Sequence, residues 1–187
     1  MVVMNRRRLQ IVIVCEDKQQ EVFARNFLQK RGFILDRNFR IETCPKGAGE
    51  QFVREKYAEE VKGYRSGKNK RSGMLIIVID ADKKNVNERL RQLNDALLEK
   101  SQELRQPDES IAIFIPKRNI ETWIHYLQGE TVDEESEYTK LKKQSDCKPY
   151  VENLVNQCYQ GLDENAPPSL QAACGELQRI LPLLNNL

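Results

Sequence analysis

The chain has 187 residues, enough for one domain with a real buried core. Forty per cent hydrophobic and 31 per cent charged residues exclude a disordered chain, and no run approaches the roughly 18 apolar residues of a membrane span, so no membrane partner is expected. Thirty Lys and Arg against 28 Asp and Glu leave a net charge of +2, so affinity for a polyanion has to come from where the bases lie rather than from their number.

After the basic run Arg6 to Arg8, LQIVIVCE predicts a buried strand from about Leu9 to Cys15, closed by Glu16. That apolar run is too brief for a secretory signal and lacks a small-residue cleavage site. QQEVFARNFLQKRG then places Val22, Phe23, Phe27 and Leu28 on a helix that stops at Gly32. NFRIETC, residues 38 to 44, alternates as a second strand, followed by the glycine-bearing loop PKGAG. A helix from about Gly49 to Tyr64 aligns Val53, Tyr57, Val61 and Tyr64.

The polar loop RSGKNKRSG leads into GMLIIVIDAD, the stretch on which the chain is organised. Met74 to Ile79 are six apolar residues in a row, the mark of a strand buried on both faces of a parallel sheet. A helix from about Asn85 to Gln102 stacks Val86, Leu90, Leu93 and Leu97, and SIAIFIP supplies a fourth strand ending near Pro116. Asn119 is placed to cap a short helix holding Glu121, Trp123, Ile124 and Tyr126. Residues 129 to 149 read as a loop or lid, and two further helices follow, around Val151 to Cys158 and from Pro167 and Pro168 to Leu184.

The expected fold is therefore α/β: a Rossmann-like, mainly parallel four-stranded sheet flanked by helices in residues 1–128, with a C-terminal helical extension in 129–187 packing on the same domain. Five cysteines, Cys15, Cys44, Cys147, Cys158 and Cys174, make no CxxC pair. With one histidine, structural zinc is improbable, and the odd, scattered set argues for a reducing cytoplasm.

In open parallel sheets, ligands sit beyond the carboxyl ends of the strands. Glu16, Asp80 and Asp82 fall there, and Glu121 follows the fourth strand. Carboxylates on one rim make a hard, oxygen-rich site suited to Mg²⁺ or Mn²⁺. Such a site requires Glu16 on the same rim as the two aspartates, with no arginine filling the space between them. The plainer alternatives are solvated acids at strand-to-helix turns, one of Asp80 and Asp82 capping the next helix, and Glu16, Glu21 and Glu121 serving as surface or first-turn glutamates. His125, one turn after Glu121, is a candidate base or, more simply, a structural histidine near Trp123. Trp123, Ile124 and Tyr126 read as core.

Among the bases, Arg65, Lys68, Lys70 and Arg71 precede the central strand and belong to the opposite end of the sheet. Lys18, Lys46, Lys83, Lys84, Lys117 and Arg118 follow strand ends on the acidic rim and are the candidates for holding a phosphate backbone, with Lys140, Lys142, Lys143 and Lys148 contributing from the lid.

These residues also carry a family resemblance. CEDKQQEVF at 15 to 23 resembles the CEGxxxE opening of TOPRIM domains in the RloB-like and OLD (overcoming lysogenization defect) nucleases, VIDAD at 78 to 82 is similar to their DxD motif, and NIETWIHYL at 119 to 127 resembles the NPxFExW segment of RloB-like proteins. The resemblance implies a TOPRIM-like fold and a metal-dependent nuclease acting on DNA or RNA, with a place in phage defence. Glu16 would be metal ligand or general base, Glu21 its support, Asp80 and Asp82 metal ligands, Glu121 a further ligand, and Lys117 the catalytic counter-charge. Asp17 stands where glycine is usual, and Lys84 where the longer DxDxD pattern has a third acid. Families of the OLD type add an ATPase, and no Walker motif is present here. A non-catalytic nucleic-acid-binding or regulatory module working with a partner protein such as an ATPase, and a phosphotransferase using Asp80 as nucleophile, remain the alternatives.

Overall fold

The computed structural model describes residues 9–36, 38–67 and 73–185. The basic run at 6–8 and the loop residues Lys68, Lys70 and Arg71 lie outside the described residues. Strands β1 (Gln10–Cys15), β2 (Phe39–Thr43), β3 (Gly73–Val78) and β4 (Ile111–Phe114) form one sheet in the order β2-β1-β3-β4, every pairing parallel. Helices α1 (Lys18–Lys30), α2 (Gly49–Gly67), α3 (Val86–Glu99), α4 (Ile120–Leu127), α5 (Lys148–Gln160) and α6 (Pro168–Asn185) flank it, as a Rossmann-like α/β fold requires.

Alternation along each strand divides the core in two. Ile11, Ile13, Met74, Ile76, Ala112 and Phe114 face α1, α4, α5 and α6. Val12, Val14, Leu75, Ile77, Ile111 and Ile113 face α2 and α3 through Val53, Tyr57, Leu93 and Leu97. Being covered on both faces is why β3 reads as an unbroken apolar run. Trp123 is buried in the first core, its indole N–H donating to Ser169 Oγ at 2.8 Å.

The helix starts are set by residues other than the suspected acids. Asp17 caps α1, accepting the Gln20 N–H at 2.9 Å, and Asn85 forms a capping box with Glu88 on α3. Asp80 and Asp82 thus have no cap to serve. Asn119 occupies the cap position of α4 without a side-chain capping bond. Residues 129–143 are irregular and end in a 3₁₀ turn at Gln144–Cys147. α6 covers the outer edge of β4, Glu176 accepting the Ile113 N–H and Arg179 donating to the Ile111 carbonyl.

Cys158 and Cys174 are joined in a disulfide, Cα atoms 5.4 Å apart, against the expectation drawn from scattered cysteines. The turn between α5 and α6 brings together residues 16 apart, a juxtaposition no spacing rule reveals. Cys15, Cys44 and Cys147 are free. No described helix is long and apolar enough to cross a membrane.

Candidate functional site

The strand order reverses direction between β1 and β3, and that is where the crevice of such a sheet opens. Val14 pairs with Ile77 in the β1–β3 register, so the two chains leave the sheet together. Glu16 consequently reaches Asp80, its Oε1 accepting the Asp80 N–H at 2.6 Å. Gln20, wholly buried on α1, accepts the Glu16 N–H at 2.8 Å and holds it from the other side. Gly49 closes the crevice from α2: a Cβ there would lie 2.9 Å from Glu16 Cβ and 3.3 Å from its carbonyl oxygen. Only a residue without a side chain fits that close approach.

The acids gathered here destabilise one another's charged forms. Asp80 is 7 % exposed, and its Oδ1 has no hydrogen-bond partner. Burial, then the charges of Glu16 and Glu121, push its carboxyl well above the usual carboxylate range. Burial also raises Glu16 to about 7, opposed by the Asp80 N–H it accepts and reinforced by the Asp82 charge. Glu121, buried in the first turn of α4, is raised by burial and by Asp17, with Lys140 and His125 opposing. Four of the sequence-predicted residues, Glu16, Asp80, Asp82 and Glu121, thus share one electrostatic neighbourhood.

Asp82 differs from the others. It is exposed and has φ of 54°, the left-handed region that non-glycine residues rarely occupy. Its N–H donates to the Arg118 carbonyl at 2.9 Å, and Arg118 has φ of 71°. This strained pairing locks the ends of β3 and β4 together. Its carboxylate meets Arg89, a residue sequence reasoning passed over. Arg89 donates to Asp82 Oδ2 (3.1 Å), to Glu50 Oε2 (2.8 Å) and to the Asp80 carbonyl (2.8 Å). The condition that no arginine fill the space between the acids is therefore not met at Asp82, where Arg89 bridges its carboxylate and the Asp80 carbonyl, while the Asp80 side-chain Oδ1 is left without a partner. Arg89 lies on the same helix face as Val86 and Leu93, so a lone arginine in an apolar stripe was the overlooked signal.

Beyond Arg89 a cleft of about 470 Å³ is lined by Glu50, Asp82, Lys83, Lys84, Arg118 and Glu137, among others. Three of the candidate phosphate-holding bases line it. Lys117 and Arg118 are paired with the acidic strap of the lid, Lys117 Nζ with Glu135 and Arg118 Nη2 with Glu137, each at 3.3 Å. Lys46 is exposed in the loop after β2, and Lys18 sits at the start of α1 on Glu21 at 2.8 Å. Glu21 is turned to that ion pair, to Arg25 and to the Thr43 hydroxyl, not to the other acids. His125 has both ring nitrogens engaged, with Glu130 Oε2 and the Thr139 carbonyl, each at 2.9 Å. Arg65 lies at the opposite end of the sheet, bonded to Glu109.

Among the described residues, no group of three or more His, Cys, Asp or Glu side chains stands as a ready-made ion site. The chemistry of the donors nonetheless fits a hard divalent cation: every candidate atom is oxygen, the acids repel one another, and Asp80 Oδ1 is buried and unsatisfied. Compared with protein-family models, curated proteins and solved structures, the chain matches none.

Proposed function

We propose that this protein is a metal-dependent phosphodiesterase acting on DNA or RNA, with Glu16, Asp80, Asp82 and Glu121 forming a TOPRIM-type acidic site for Mg²⁺ or Mn²⁺. One observation carries the reading. A carboxylate oxygen of Asp80, buried at the crevice of a parallel sheet with Glu16 against it, has no partner. A buried unsatisfied carboxylate among like charges is costly, and a cation is the partner that relieves both penalties. A divalent ion bound there would polarise a phosphoryl oxygen and acidify an attacking water.

The chain's own residues supply the rest. Glu16, held against the Asp80 N–H and by Gln20, serves as a ligand of the ion or as the general base that takes a proton from the attacking water. Lys83, Lys84 and Arg118, which line the cleft, offer positive charge for a phosphate backbone, and Lys117, next to Arg118 in the chain, is assigned the counter-charge to the scissile phosphate on the resemblance alone. The resemblance to RloB-like and OLD nucleases supports the same assignment and, with it, a role in phage defence. The runner-up, a binding or regulatory module without catalysis, is favoured by the lack of a preassembled acidic trio among the described residues.

Purified protein incubated with plasmid, single-stranded DNA and RNA in Mg²⁺, Mn²⁺ or EDTA separates the two. Cleavage that needs the ion and falls at least about a hundredfold in Asp80→Ala and Glu16→Gln supports the enzyme. Cleavage surviving Asp80→Ala removes the proposed site, and tight binding without cleavage favours the module.

A further inference from the structure

The cleft beside Asp82 is where a second metal ion would enter, and a cation of the protein's own is already bound there. Arg89 is 2 % exposed, and each nitrogen of its guanidinium is taken: Nε by the Asp80 carbonyl, Nη1 by Glu50 and Gln92, Nη2 by Asp82. A guanidinium brings a full positive charge and a planar fork of donors into that space. Two-ion phosphodiesterase sites set their ions about 3.5–4 Å apart. Here the outer oxygen donors, Asp82 Oδ2 and Glu50 Oε2, both lie on the guanidinium instead, at 3.1 and 2.8 Å. Lys84, lining the same cleft, adds a further positive charge on that side.

Resting on the metal-binding reading above, we infer that the acidic rim takes one divalent ion, and that Arg89 occupies the second cation position as a built-in substitute. It acts as a positioning residue. By gripping the Asp80 carbonyl and the Asp82 carboxylate at once, it fixes the carboxyl end of β3 while leaving Asp80 Oδ1 free.

The test counts ions. The full chain is titrated with Mn²⁺ alone, bound metal being followed by electron paramagnetic resonance and by calorimetry, with no nucleic acid present. One Mn²⁺ per chain, without the coupled signal of an ion pair, is expected for the wild type and for Lys84→Asp. Two ions are expected for the double variant Lys84→Asp/Arg89→Gln. Two ions in the wild type or in Lys84→Asp overturn the inference, as does a folded double variant that still binds one. If circular dichroism shows the double variant unfolded, Lys84→Asp, an exposed substitution, decides alone. No bound Mn²⁺ in the folded wild type overturns the metal reading itself and this inference with it, an outcome distinct from a count of two.

Discussion

At the amino end of the sheet, Glu109 accepts two bonds from Arg65, at 2.7 and 3.0 Å, and a third from the Gln106 N–H, while at the carboxyl end Asp80 is just as buried and has an oxygen with no partner. Around Glu109, Arg105 pairs with Glu176, Arg179 donates to the Pro107 and Glu109 carbonyls, and the Tyr64 hydroxyl accepts the Ser110 N–H. The orphan at that end is the Tyr57 hydroxyl, a neutral group that burial keeps neutral by raising it to about 12. Across the sheet the unsatisfied groups are an acid among acids, Asp80 Oδ1, and the amide nitrogen of Gln20 beside Glu16, and the backbone next to them is strained at Asp82 and Arg118. One end closes its charges for stability. The other leaves them open, which is how a site awaiting a ligand differs from a structural network.

The comparison is broken most severely from the closed end. Glu109→Ala removes the acceptor of Arg65 and of the Gln106 N–H, leaving Arg65 only the Glu103 and Leu104 carbonyls, so it should cost about 3 kcal/mol of stability by denaturant unfolding, with metal-dependent cleavage per folded molecule unchanged. The mirror experiment, Asp80→Asn, deletes a disfavoured charge and should stabilise the metal-free protein by about 1 kcal/mol while abolishing cleavage. If Asp80→Asn destabilises instead, the two ends are not the opposites described.

Protons probe the open end next. Folded Glu16 keeps its proton up to about pH 7, whereas the unfolded chain releases it near 4.5. Between those values the folded state binds more protons, so raising the pH favours unfolding. Stability of the metal-free protein should fall by about 3 kcal/mol from pH 4.5 to 7 on account of Glu16, and Asp80, raised in the same direction, steepens the loss. Adding Mn²⁺ should flatten the slope, because the ion favours the ionised acids. Thermal melts across that pH range, with and without Mn²⁺, read it directly.

How much of this was legible in the sequence follows from which forces are local. The unbroken run Met74–Ile79 announces a strand buried on both faces, and Asn85 announces the start of α3, because burial and capping are written in adjacent residues. The meeting of Glu16 with Asp80 was inferable only through parallel topology, since 64 residues separate them. Glu50 was not legible as a site residue, since it reads as a helix-start glutamate, and Gly49 reads from sequence as a glycine that would let a phosphate approach; only the packing of α2 against the end of β1 sets it against Glu16 instead. The disulfide depends on the turn between α5 and α6, and the seating of Glu135 and Glu137 on Lys117 and Arg118 depends on the path of the irregular segment 129–143, neither of which any periodicity encodes.

Gly49 offers a smaller and more local break. Ala is the better helix former, yet its Cβ would press on Glu16 Cβ and its backbone carbonyl, neither of which is the tip of a flexible side chain. Gly49→Ala should therefore lose about 1 kcal/mol of stability and weaken Mn²⁺ binding, with Glu16 moved off Asp80. Gly63→Ala, where nothing lies within 4 Å of the added carbon, is the control expected to leave metal binding alone.

The smallest effect belongs to the strap. Glu135 and Glu137 are 83 % and 73 % exposed, so each ion pair is worth at most about 0.5 kcal/mol. They nonetheless neutralise Lys117 and Arg118, two of the cations that would meet a phosphate backbone. Glu135→Gln/Glu137→Gln should tighten binding of a labelled single-stranded oligonucleotide roughly fivefold at low salt, the gain vanishing as screening rises. Fluorescence anisotropy over a salt series measures it. A gain that persists at high salt would mean the strap blocks the cleft by its bulk and not by its charge, and no gain at any salt would remove Lys117 and Arg118 from the binding surface.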